Sequence, residues 1–79
     1  MNHRKIVVHA EWDDEAGVWV ATSRDIEGLC VEAETMEALR GKVLGAINDL
    51  LELNDDHWPP EIPVQIMAEQ LSRIANPRR

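Results

Sequence analysis

The sequence predicts an α+β domain: a three-stranded antiparallel meander, one helix packed on the sheet, then a fourth strand. Three observations carry that prediction. Polar and apolar residues alternate over 5–12, 29–34 and 61–68, the mark of half-buried strands. Apolar residues recur every three or four positions from 36 to 51, the mark of a helix with one buried face. Turn-forming clusters at 13–17, 25–28 and 55–60 separate these segments. The 79 residues make a single domain, 1–79, with 1–3 and 75–79 expected to fray. So short a chain has a thin core, and help from a partner or from self-association is expected.

The first strand places Ile6, Val8 and Ala10 on one side and Val7, His9 and Glu11 on the other. Asp13-Asp14-Glu15-Ala16-Gly17 closes a hairpin, with Gly17 placed to take a positive φ. The second strand, 18–23, is apolar at both parities. One face meets the core while the other presents either Trp19 and Ala21, or Val18 and Val20, to a second contact. Trp12 and Trp19 flank the hairpin loop and are placed to pair across it. After the turn at Asp25-Ile26-Glu27-Gly28, a third strand alternates Leu29, Val31 and Ala33 with Cys30, Glu32 and Glu34.

Thr35 is the expected helix N-cap, with Glu34 and Glu37 complementing the positive end of the helix dipole. Leu39, Val43, Ile47, Leu50 and Leu51 then form one stripe. Gly41 and Gly45 read as tolerated surface glycines rather than a site of close approach. The helix ends near Asn54, ahead of Trp58-Pro59-Pro60, where Trp58 is either a lid on the helix end or an exposed anchor. A fourth strand over 61–68, through Ile62, Val64 and Ile66, belongs at a sheet edge because Pro63 cannot donate to a ladder. From Glu69 on, a helical turn or an extended tail would use Leu71 and Ile74.

Composition narrows the function. At 44% hydrophobic and 29% charged the chain is too apolar for a disordered tail. Fifteen acidic against eight basic residues, a formal charge of −7, disfavour direct nucleic-acid binding and favour a basic protein partner. The one cysteine, Cys30, allows no internal disulfide and fits a reducing cytoplasm; no membrane span or signal peptide can be drawn.

Catalytic constellations fail on spacing. Asp13, Asp14 and Glu15 lack the alternating carboxylates of a calcium loop, and His3, His9 and His57 have no metal-ligand spacing. Ser23 and Asp25 have no nucleophile elbow or oxyanion loop, and no phosphate-cradling glycine loop occurs. A minimal hydrolase using Glu11 with Asp13 or Asp14 and a divalent cation lacks a further carboxylate pair. Neither an enzyme nor a cofactor is expected.

Four runs in order carry a resemblance: Glu-Trp-Asp-Asp-Glu-Ala-Gly-Val-Trp-Val-Ala at 11–21, Asp-Ile-Glu-Gly-Leu at 25–29, Ala-Glu-Thr-Met-Glu-Ala-Leu at 33–39 and Glu-Ile-Pro-Val at 61–64. Together they resemble the HicB-like antitoxins, closest to a short branch in which this domain stands alone. The family's usual Asp-Leu-Pro-Gly turn is Asp-Ile-Glu-Gly here. The resemblance implies a partial ribonuclease-H-like fold without ribonuclease activity, and neutralisation of a small basic HicA-type RNA-cleaving toxin. Many members add a C-terminal DNA-binding domain, and nothing after Ala68 is long enough to be one. The expectation is therefore a cytoplasmic, antitoxin-like protein-binding module, a homodimer, with Trp19, Ala21, Trp58, Glu11 and Asp13 as candidate partner or dimer contacts. The alternative is a regulatory or small-ligand-binding domain without a toxin, using a pocket between helix and sheet near Trp58.

Overall fold

A computed structural model describes residues 5–54 and 58–78. Its elements are β1 (Ile6–Asp13), β2 (Val18–Thr22), β3 (Cys30–Ala33), α1 (Met36–Asn54) and β4 (Val64–Glu69). They form a mixed α+β arrangement of one helix and one four-stranded sheet, ordered β3-β2-β1-β4. β1 pairs antiparallel with β2 and β2 antiparallel with β3, while β4 returns to lie parallel to β1 at the sheet edge.

Register decides which side chains share a face. Ala10 sits opposite Ala21, and Trp12 opposite Trp19. Val31 sits opposite Ala21, and Ala33 opposite Trp19. These residues, with Ile6 and Val8, line the side on which the core lies. Ile6, Val8, Ala10 and Ala21 are fully buried there, against Leu39, Val43 and Ile47 of the helical stripe. The two open parities of strand two are thus resolved: Trp19 and Ala21 point inward, Val18 and Val20 outward.

The hairpin follows its local chemistry. Gly17 takes φ 68°, and its N–H donates to the Asp13 carbonyl at 2.8 Å. Asp13 Oδ1 accepts from the Glu15 and Ala16 amides at 3.0 and 3.2 Å, an Asx-type turn that occupies this carboxylate. Trp12 and Trp19 meet edge to face with centroids 5.5 Å apart, and Trp12 Nε1 donates to Asp14 Oδ1 at 2.6 Å.

Where β2 ends, side chains continue its work. Ser23 Oγ donates to the Val7 carbonyl at 2.6 Å, and the Val7 amide donates to Asp25 Oδ2 at 2.8 Å. The Asp25 amide in turn donates to Ser23 Oγ at 3.1 Å. The second strand therefore stops at Thr22, one residue before its apolar pattern suggests, because Ser23 turns to clasp Val7. The third strand starts at Cys30 rather than Leu29, which is drawn into a turn by its N–H to the Ile26 carbonyl, 3.4 Å. Gly28 in that turn has φ 91°.

Thr35 caps α1, its Oγ1 accepting from the Ala38 amide at 3.1 Å, with Glu37 in the first turn. A Cβ built on Gly41 or Gly45 meets nothing within 4 Å, so among the described residues no other element approaches either glycine closely. Trp58 is half-buried and packs against the core. Segment 55–57, with His57, and the fraying expected at 1–3 and 79 lie outside the described residues.

The fourth strand is shorter at its start than alternation indicates. Segment 61–63 makes no strand, although Ile62 packs against the core; the Pro63 carbonyl accepts from the Ile6 amide at 2.9 Å and leads into the ladder. Lys5 Nζ donates to Gln65 Oε1 at 2.9 Å across the same pair. Beyond Glu69 the chain forms neither helix nor strand, and every described residue there is exposed.

Candidate functional site

One helix shields one face of the sheet, and among the described residues no helix covers the opposite face. By register that open face carries His9 and Glu11 beside Thr22 and Val20, Cys30 and Glu32 on β3, and Gln65, Met67 and Glu69 on β4. Acidic side chains alternate on it with Val7, Val18, Val20 and Met67, of which Met67 is 44% exposed. Two shallow depressions open there. One, of about 530 Å³, is lined by His9, Glu11, Thr22, Ser23 and Arg24. The other, of about 400 Å³, lies between Glu11, Val20 and the acidic hairpin tip Asp13, Asp14 and Glu15.

Of the five candidate contacts, the structure brings Glu11 and Asp13 together on this face, two positions apart on β1. Trp19 and Ala21 lie on the opposite side. Ala21 has no exposed surface and is a core residue, because its inward parity sets it between Ala10 and Val31. Trp19 is half-buried against Trp12 and the core, and Trp58 is half-buried against the core elsewhere. Sequence reasoning held Val18 and Val20 as the alternative outward pair of strand two and did not single out Met67 as a contact. The surplus of apolar residues in strand two was the available signal for Val20; for Met67 it was the alternation of strand four.

Several of the polar side chains on and around this face are engaged in local hydrogen bonds. Among the described residues no group of three or more His, Cys, Asp or Glu side chains is placed to hold a metal ion. Asp13 and Asp14 are engaged by the hairpin, and Ser23 and Asp25 by the Val7 backbone. These bonds give Asp13, Asp14, Ser23 and Asp25 a structural task. Cys30 is a free, exposed thiol on the edge strand β3. No helix among the described residues is long and apolar enough to cross a membrane.

No curated protein matches the chain significantly. Among solved structures it is similar to a hypothetical protein, TTHA1013, from the extremely thermophilic bacterium Thermus thermophilus. The two share 40% identity with a TM-score of 0.66, over 92% of this chain and all of that one. Residues 5–76 match the family model described as a domain of unknown function, DUF1902, and the chain belongs to that family.

Proposed function

We propose that this protein is a non-catalytic protein-binding module, an antitoxin-like homodimer that neutralises a small basic RNA-cleaving toxin of the HicA type in the cytoplasm. On this reading β1, β2 and β3 are the meander of a reduced ribonuclease-H-like domain, as the HicB-like resemblance implies. The observation that carries the proposal is the open sheet face, where Glu11, Asp13, Glu32 and Glu69 are interleaved with apolar side chains. Such a surface offers apolar contact and a field that attracts cations. It repels a phosphate backbone, which argues against direct nucleic-acid binding.

Co-expression with the product of an adjacent gene, followed by pull-down and gel filtration, tests the proposal. The expected result is a stable complex with a small basic protein. Charge reversal by Glu11→Lys with Glu32→Lys weakens that complex by about tenfold or more. Purified protein that binds or cleaves RNA unaided, with no protein complex formed, would overturn it.

A second reading, a regulatory or small-ligand-binding domain, draws on the depression lined by His9, Glu11, Thr22, Ser23 and Arg24. Trp58, near which that reading places its pocket, is half-buried against the core. Ligand-induced NMR shifts confined to His9 and Arg24 would favour it.

A further inference from the structure

A second surface lies on the helix side of the sheet. Val64, Ile66 and Ala68 of β4 sit opposite Ile6, Val8 and Ala10 of β1 and share their parity. The β1 residues are fully buried, whereas Val64 and Ile66 are half-buried and Ala68 is exposed. The helix packs over β3 and β2, and a groove of about 410 Å³ is left along β4. Met36, Glu37 and Arg40 of α1 form its other wall.

The segment that follows β4 has the complementary character. All of 70–78 is exposed, with Leu71 at 79% and Ile74 at 91%. The radius of gyration is 15.6 Å and the longest axis 55 Å, against roughly 12 Å expected for the radius of a compact domain this size. Residues 70–79 hold three arginines and no acid; residues 1–69 hold all fifteen acids against five basic side chains, a formal −10. The arm is thus cationic and apolar, and the body that carries the groove is strongly anionic.

We propose that segment 70–78 is an exchange arm that docks into the β4–α1 groove of a second copy of this chain, each copy donating its arm to the other. The arm leaves β4 just past Ala68, at the end of its own groove, and it leaves that groove open. A second copy related by a two-fold axis supplies the same groove and receives the same arm, so the contact closes on itself. Leu71 and Ile74 supply the apolar anchors, and Arg73 and Arg78 meet the acidic body, with Glu37 on the groove wall. The inference rests on the self-association part of the proposed function and names the surface through which it occurs.

Sedimentation equilibrium on the full chain and three variants tests it. The intact protein is expected to be a dimer at micromolar concentration. Leu71→Ser with Ile74→Ser, both exposed and so harmless to the fold, raises the dimer dissociation constant by about 100-fold. Arg73→Glu with Arg78→Glu weakens it by about tenfold and reduces its salt dependence. Ala68→Arg, also at an exposed position, blocks the groove and yields a monomer. Mixing the Ala68→Arg chain with the Leu71→Ser/Ile74→Ser chain restores a heterodimer, because one copy still offers an arm and the other a groove.

A monomeric intact chain overturns both the exchange and the homodimer reading. A dimer that survives the Leu71→Ser/Ile74→Ser change overturns the exchange alone and assigns the contact to the β4 edge or the open face. Failure of the mixed variants to associate also overturns the exchange.

Discussion

β1 and β4 lie side by side, parallel, with three pairs of residues facing the same way, yet one row is sealed and the other is not. Ile6, Val8 and Ala10 owe their burial to what covers them, namely the helix and the strands on both flanks. Val64, Ile66 and Ala68 have the same alternation but only one neighbouring strand and only the margin of the helix. Apolar alternation states which way a side chain points; the placement of the covering layer decides how much it contributes.

The same truncation in each row separates the two strands most widely. Ile6→Ala is expected to cost about 3–4 kcal/mol of unfolding free energy in urea titration, since it opens a cavity in packed surroundings. Ile66→Ala should cost about 1–2 kcal/mol, because part of its surface is already in water. Equal costs at low protein concentration would mean the groove is filled within one chain. A cost at Ile66 that grows with protein concentration sharpens the contrast instead, by showing that a second copy supplies the missing cover.

Next in size is the clasp that holds the other flank of β1. Asp25→Ala leaves the Val7 amide without its carboxylate partner, and a loss of about 1.5–2 kcal/mol is expected. Ser23→Ala should cost about 1 kcal/mol by removing the bond to the Val7 carbonyl. Amide exchange at Val7 should accelerate in both variants, and unchanged exchange would show that the clasp does not protect this amide.

On the solvent face of α1 the sign reverses. Gly41→Ala and Gly45→Ala meet open space, so each should stabilise by about 0.5–1 kcal/mol in the same titration. Smallest of all, Lys5→Ala removes an exposed hydrogen bond to Gln65 across β1 and β4, and should change stability by less than about 0.5 kcal/mol.

Much of this fold was legible in the residues. The hairpin declared itself through Asp13 and Gly17, the cap through Thr35, and the helical face through Leu39, Val43 and Ile47. What could not be read was adjacency. Val64 and Ile66 announce a buried side without saying which strand lies next to them, and a parallel return to β1 leaves no local signature. Element ends were blurred for a related reason: Ile62 and Leu29 serve the core as strand residues do, but from turns and irregular chain. For the candidate site, the charge of Glu11 and Asp13 was visible, while the inward turn of Trp19 and Ala21 depended on register with Trp12 and Ala10.

The pairing of β4 with β1 also sets an order on synthesis. Lys5 and Gln65, joined across that pair, lie 60 positions apart in the chain. A ribosome therefore releases the hairpin well before the strand that completes the sheet, with the helix between them. During that interval the flank of β1 that β4 will occupy presents unpaired amides and carbonyls, a template for any other extended chain nearby. Until that closure the chain carries an open sheet edge, and closing it means bringing together segments from opposite ends of the sequence, a slower step than forming the local hairpin or helix.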